Sequence, residues 1–309
     1  MNNLEPKSEK PEQNTMVAIA TLGNQDLQID GKTALEWRKL EPDSSYGNCR
    51  SMGETLIKEP IATERISFPI LEPFLRLVQQ HGKEKQLQLT HLVLVATDQE
   101  SNTEASFLAQ DTYPISCVIH KCLKERPEWK SIDIRLLRIK SNPVDSELVA
   151  EELSAHWMGK KQAYLKQASE VLLSATGGVP NLNLALFFSL GVEQVKERLT
   201  QVYVPKNGLP RIMPFVRRVH AAALKSRVEA LASTYDFAAI SREVKQSFPV
   251  CSRLAAYGSS RLGFDFESAS YQLTQARQGL PKEFHAMIDD WATQLEDLKG
   301  TGCSKIQRS

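Results

Sequence analysis

The chain of 309 residues carries 38 Lys and Arg against 37 Asp and Glu, a net charge of +1. So even a balance supplies no long-range field to gather a polyanion, so long nucleic acid is not an expected partner. Hydrophobic residues make up 41% and charged residues 24%, the mix of a soluble globular protein with core enough for one large or two ordinary domains. About 18 consecutive apolar residues occur nowhere, and the start lacks a signal-peptide core, so a cytoplasmic protein without membrane contact is expected. The five cysteines (Cys49, Cys117, Cys122, Cys251 and Cys303) show no C-x-x-C spacing and read as reduced thiols. No zinc or other metal site and no cofactor are expected.

In chain order, residues 1–15 are polar and read as a disordered lead-in. Met16-Val17-Ala18-Ile19-Ala20-Thr21 reads as a buried strand that ends in the turn-prone loop Leu22-Gly23-Asn24-Gln25-Asp26. Ala34 to Leu40 fits a short helix or an edge strand. Glu41 to Gly53, with its Pro, Asp, Ser, Gly and Asn, reads as a long surface loop of the kind that forms lids. Leu71, Phe74, Leu75 and Val78 predict a helix over 69–81. Arg76 and His81 on it match the R-x4–6-H spacing of one family of metal-independent ribonucleases, a spacing that is also common on a solvated helix face.

The run Leu92-Val93-Leu94-Val95-Ala96 predicts a second strand, delivering Thr97-Asp98-Gln99 at its carboxyl end. A helix over 111–126 and an alternating strand over 132–139, nearer the sheet edge, follow. Residues 145–168 are largely helical with a break near Gly159, and Val171-Leu172-Leu173 is a further strand. Gln201-Val202-Tyr203-Val204 is the last expected strand, closed by the turn Pro205-Lys206-Asn207-Gly208. Alternating strands and helices imply an α/β, Rossmann-like, mostly parallel sheet with helices on both faces over 16–210. A small all-helical domain is expected over 211–300, then a flexible tail over 301–309. In that second domain Tyr235-Asp236-Phe237 and Phe264-Asp265-Phe266 echo each other, each Asp placed to cap a helix that begins at the next residue.

Val171 to Leu190 is the stretch that organises the rest. Its strand empties into Ser174-Ala175-Thr176-Gly177-Gly178, and Pro180 opens an apolar helix, a position where the missing N–H costs nothing. Paired glycines let the backbone approach a ligand and leave amides for it. A helix N-terminus beyond them, with no acidic residue close in sequence, suits an anion. The stretch has neither G-x-x-x-x-G-K-[ST] nor G-x-G-x-x-G, and an ordinary strand-to-helix turn is the competing reading. In such a sheet, ligands lie beyond the carboxyl ends of the strands, so the loops after the first strand and after Leu173 occupy equivalent places.

The polar groups expected there are Asn24, Gln25, Asp26, Asp98, Gln99, Thr176 and Asn181. Asp26 and Asp98 would repel a phosphate and are expected against ribose hydroxyls or base amines, or else as turn caps. Histidines fall at the wrong sheet end or within helices, so Ser174 has no base and a Ser-His-Asp triad is unsupported.

The loop at residues 19–26, the strand ending at Asp98 and the segment Ser174 to Pro180 together resemble the CRISPR-associated Rossmann-fold (CARF) domain. The helical tail with its two echoes resembles the region that follows this domain in CARF ribonuclease effectors. The likeness covers most of 16–300. It implies a two-fold homodimer that binds cyclic oligoadenylates, second messengers of type III CRISPR immunity, across the dimer axis. Effectors of this kind carry a further ribonuclease domain with an R-x4–6-H motif. Here the only match, Arg76 to His81, falls in the wrong domain, so the chain is expected to resemble the stand-alone ring nucleases that degrade the messenger. In that chemistry a substrate 2′-OH attacks its own 3′-phosphate, and the protein orients the ribose and stabilises phosphate charge. The resemblance implies that the Gly177 and Gly178 amides and Thr176 meet the phosphate. Asn24 and Gln25 would hold the ribose or non-bridging oxygens, Asn181 an adenine or ribose, and Gly23 is counted among the ligand-binding residues. Lys206 and Arg211 are candidates for a charge clamp or leaving-group donor, or simply solvated surface residues. Two alternatives stay open. One is a sensor without catalysis that signals through the helical domain. The other is a messenger-activated ribonuclease using Arg217, Arg218 or His220.

Overall fold

Strand β1 (Thr15–Thr21) is buried from Met16 onward. Met16, Ala18 and Ala20 enter one core, while Val17 and Ile19 enter another. A strand apolar on both faces belongs in the middle of a parallel sheet. The computed structural model, which describes residues 14–99, 104–158, 163–195, 198–205, 208–213, 215–245 and 248–306, places it there. Most of the expected lead-in, the break at Gly159 and the turn residues Lys206 and Asn207 lie outside the described residues.

After β1 comes a two-stranded antiparallel ribbon, β2 (Gln28–Ile29) with β3 (Ile66–Ser67). The main sheet continues with β4 (Gln88–Thr97), β5 (Asp133–Ile139), β6 (Glu170–Ser174), β7 (Leu199–Tyr203) and β8 (Arg211–Met213). Their order is β5-β4-β1-β6-β7-β8, parallel throughout except for β8, which runs antiparallel to β7. The alternating strand β5 lies at the edge. β8 is an addition to the expected pattern: three residues are too few to show periodicity, and pairing with β7 creates the strand. It also carries the first unit past residue 210.

Helices α1 (Ala34–Leu40), α2 (Cys49–Lys58), α3 (Leu71–Lys85), α4 (Ala105–Leu108), α5 (Tyr113–Glu125), α6 (Ser146–Trp157), α7 (Ala163–Gln167) and α8 (Pro180–Phe188) complete this unit. A capping box decides the ambiguous α1: the Glu36 carboxylate accepts from the Thr33 amide at 2.7 Å, and Thr33 Oγ1 accepts from the Glu36 amide. The long loop expected over 41–53 is shorter than that, because Asn48 Oδ1 accepts from the Ser51 amide at 2.8 Å and starts α2. Gly53 disguised this helix in the sequence. Its missing side chain lets α5 approach, since a Cβ there would sit 2.5 Å from the Ile115 nitrogen. Residues of α2, α3 and α5 pack on the sheet face that holds Met16, Ala18 and Ala20. Those of α6, α7 and α8 pack on the face of Val17 and Ile19. The fold is therefore α/β with helices on both sides of a mostly parallel sheet.

The chain divides into two compact units, Met1–Arg217 and Arg218–Ser309. Beyond most of α9 (Phe215–Ser233), the second contains α10 (Phe237–Val244), α11 (Pro249–Leu262), α12 (Phe266–Gly279) and α13 (His285–Ile306). Both echoed motifs fold alike. Asp236 Oδ1 accepts from the Ala239 amide at 2.9 Å, and Asp265 Oδ1 from the Ser268 amide at 3.1 Å. The residue before each cap, Tyr235 or Phe264, takes a left-handed φ of 58° and stays exposed. Tyr257, Ala269, Leu273, Ile288 and Leu295 form one small core here, and Leu224, Ile240, Val244 and Ala255 another. Among the described residues no helix is long and apolar enough to cross a membrane, and no group of three or more His, Cys, Asp and Glu could hold a metal ion.

Candidate functional site

From β1 the chain moves outward to β4 and β5 on one side, then returns to lay down β6 and β7 on the other. The carboxyl ends of β1 and β6 therefore flank the point where the winding reverses, where an open α/β sheet leaves a crevice. A cavity of about 580 Å³ opens there, lined by Gly23, Asn24, Gln25, Thr176, Gly177, Gly178 and Tyr203 among others. That volume is in the range of small-molecule sites.

Glycines bring the two loops into contact. A Cβ on Gly23 would lie 2.6 Å from the Gly178 nitrogen, and one on Gly177 would lie 2.4 Å from the Thr21 carbonyl oxygen. Gly178 has a φ of 74°, which side-chain-bearing residues rarely adopt. The Gly177 carbonyl is fixed by two donors, Thr21 Oγ1 at 2.7 Å and Asn183 Nδ2 at 2.7 Å. The amides of Gly177 and Gly178 donate to no group among the described residues, and both residues line the crevice. Thr176 Oγ1 accepts from the Val204 amide at 3.1 Å, which anchors the oxygen and leaves the hydroxyl hydrogen to donate. Asn24 and Gln25 are exposed on the crevice wall.

Other expected site residues are engaged elsewhere. Asp98 and Gln99 do not line the crevice. Asp98 is ion-paired with Arg50 at 2.6 Å and with Arg138, and Gln99 bonds Asp111 through its amide and its side chain. Asp111, fully buried, completes the cluster with Arg50 at 2.8 Å. No ribose or base is needed to satisfy Asp98: two guanidinium groups already do so. Asn181 donates to the Val144 carbonyl, tying the start of α8 to the loop before α6. Two positions further on, Asn183 is the asparagine that braces the glycine turn. Lys206 lies outside the described residues, and so do the side chains of Arg217 and His220. Arg211 on β8 lies over the Tyr203 ring at 5.3 Å, and Tyr203 lines the crevice with 42% of its surface exposed.

Asp26 takes the second of its two expected places, that of a turn cap. It is 1% exposed, its Oδ2 accepts from the Gly23 amide at 2.6 Å, and the Asp26 amide donates back to the Gly23 carbonyl. This is a turn brace rather than a ribose ligand. Burial without a cationic partner pushes its carboxyl up to about 7, an effect the Gly23 amide only partly offsets. The glycine turn, which has no acidic neighbour in sequence, acquires one in the fold.

Among the described residues the crevice lining contains no Lys, Arg or His. His81 is buried at the other end of the sheet, where it bonds Glu170 at 3.0 Å, and Thr200 donates to the second Glu170 oxygen. Arg76 is exposed beside Glu72. The two therefore do not form a common site, and His81 is not on a solvated face. Sequence reading missed Tyr203, Asn183, Gln110 and the pair Thr97 and Thr112, whose hydroxyls accept from each other's amides. Only Asn183, three residues into a proline-led helix, carried a local hint. The remainder come together through strand neighbours distant in the chain.

No family model and no curated protein matches this chain. Among solved structures it is similar to Enterococcus italicus Csm6 bound to cyclic hexa-2'-fluoro-hexa-dAMP, at 11% identity and a TM-score of 0.48. The match covers 93% of this chain and 64% of that one, so this chain spans less than two thirds of that protein's length. At that level the likeness carries no argument about activity.

Proposed function

We propose that the crevice binds a cyclic oligoadenylate, cyclic tetra-adenylate by preference, between two copies of the chain and cleaves it without a metal. The observation that carries this reading is the meeting of the Gly23–Asp26 and Thr176–Gly178 loops at the switch point, with two free glycine amides and a free Thr176 hydroxyl hydrogen. This is equipment for holding and polarising a phosphodiester, and the sequence resemblance to CARF domains points the same way. A ribose 2′-oxygen attacks its own 3′-phosphorus and the P–O5′ bond breaks. The 2′ proton leaves to solvent, and the 5′-oxygen takes a proton from solvent. The nucleophile belongs to the substrate, so the protein contributes in-line orientation through Asn24 and Gln25 and charge stabilisation through Thr176, Gly177 and Gly178. Arg211, and Lys206 five residues before it, would supply the positive charge that the described lining lacks. With no histidine in the lining among the described residues, turnover is slow.

Helix α8 supports the homodimer. Apart from Asn181 and Asn183 it is apolar, and Leu184 and Phe188 are each about half exposed one turn apart. A helix of that composition calls for cover on its outer face, and a second copy would place two crevices near one axis.

The test is incubation with cyclic tetra-adenylate in EDTA, with a labelled RNA in a parallel tube. Linear products with 2′,3′-cyclic phosphate ends and intact RNA are expected. Undiminished cleavage by the Asn24→Ala, Gln25→Ala, Thr176→Ala triple variant would sink the assignment. A sensor is the second reading. It is favoured by the apolar groove of about 850 Å³ in the helical unit, lined by Tyr235, Phe237, Phe264 and Trp291 among others. Recovery of an unchanged ring from a stable complex would select it, and loss of the RNA would select a nuclease.

A further inference from the structure

Asp26 lies where a passive turn brace would not need to be acidic. A Cβ placed on Gly177 would meet Asp26 Oδ2 at 2.6 Å, so the carboxyl touches the backbone whose amide is offered to the phosphate. The same oxygen accepts from the Gly23 amide, so this one group joins both loops of the crevice, and it forms part of the crevice lining. It makes no ion pair among the described residues. A buried carboxyl without a cation resists ionisation, because the charge would be stripped of water with nothing in exchange.

The groups around it do not change that. From α2 the Cys49 thiol faces it, pushed up to about 12 by burial and by Asp26 and Asp111, so it stays neutral. Asp111 is itself committed to Arg50. The glycine turn and the first turn of α8 bring no titratable side chain.

We infer that Asp26 is a charge-sensitive positioning residue: uncharged, it clamps the two loops into a seat for a phosphodiester, and ionised, it drives that anion out. This rests on the reading of the crevice as a phosphodiester site and adds a condition for its occupancy. Two negative charges separated by little more than one backbone unit, in a region poor in water, repel strongly. Ligand and ionised carboxylate therefore exclude each other, and the binding-competent fraction of the protein is the fraction with Asp26 neutral. Reciprocally, a bound anion must hold the proton on Asp26 more firmly.

The experiment measures binding of cyclic tetra-adenylate, and separately of sulfate, to the full chain from about pH 5.5 to 8.5, a window in which neither probe titrates. Wild-type affinity should be level at the acid end and fall by about tenfold per pH unit once the carboxyl ionises. Asp26→Asn keeps an oxygen for the Gly23 amide and cannot ionise, so its affinity should stay level throughout. A merely structural Asp26 would leave the two slopes equal, and that result, or a level wild-type profile, overturns the inference. A sloping sulfate profile without ring binding would keep the charge switch and reject the messenger. Failure of both probes at every pH rejects both. Should Asp26→Asn not fold, the carbon-13 shift of the wild-type Asp26 carboxyl is followed against pH. Sulfate should move its midpoint upward, and an unmoved midpoint overturns the inference.

Discussion

At Gly177 no side chain is admissible. Its Cβ position is already occupied by the Thr21 carbonyl at 2.4 Å and Asp26 Oδ2 at 2.6 Å. Gly177→Ala must therefore push the two loops apart, at a cost of about 1–3 kcal/mol typical of overpacking. A lower denaturant midpoint and weakened ring binding are expected; an unchanged midpoint would show that the loops are not in contact. Asp26 gives a second prediction at this scale. Its carboxyl is raised from 3.8 to about 7 in the folded state, so between those values the folded chain holds a proton that the unfolded chain has released. Stability contributed by the neutral group is full at the acid end of that window and is lost as pH rises through it. Melting temperature of the wild type should fall relative to Asp26→Asn between about pH 4 and 7 and then run parallel. Equal profiles would place the carboxyl's titration at its ordinary value. Asn24, Gln25, Thr176, Gly177 and Gly178 were legible as residues of the crevice wall because loop position after a strand is a local property. Asp98, Gln99 and Asn181 were misplaced because their partners Arg50, Arg138, Asp111 and Val144 are remote in sequence.

At the scale of elements, the Arg50–Asp98–Asp111–Arg138 cluster joins α2, the end of β4, the loop before α5 and the edge strand β5. Asp98 and Asp111 are buried, but Arg138 is half exposed and Arg50 keeps Asp111 when Asp98 is removed, so Asp98→Ala should cost about 1–2 kcal/mol, the scale of lost charge-assisted hydrogen bonds. A loss below about 0.5 kcal/mol in urea unfolding would mean the cluster is solvated. For α8, replacing Leu184 and Phe188 with Glu should leave the fold intact, since both side chains are half exposed, yet yield monomers by light scattering and weaker ring binding. A dimer that persists would move the two-fold interface elsewhere. Most strands and helices were readable from periodicity. The exceptions were α1, left open between helix and strand, α2, hidden by Gly53, the four-residue α4, and the short strands β2, β3 and β8, which exist through pairing rather than pattern.

For the whole molecule, the proposal predicts slow ring cleavage that EDTA leaves unchanged, measured as linear product released per protomer; restoration of chelated activity by a divalent ion would contradict it. The even charge balance agrees with a small anionic ligand held locally, with no extended nucleic acid gathered by field. By itself the sequence determined the fold class, the two-part organisation and the two loops of the crevice, because hydrophobic period, proline, glycine and capping residues act over a few positions. Tertiary structure alone decided that the crevice lining described here lacks a cation, that Asp98 belongs to an ion-pair cluster, and that a buried carboxyl lies against the glycine turn. These depend on which strands become neighbours, and burial and charge pairing between distant residues leave no trace in local spacing.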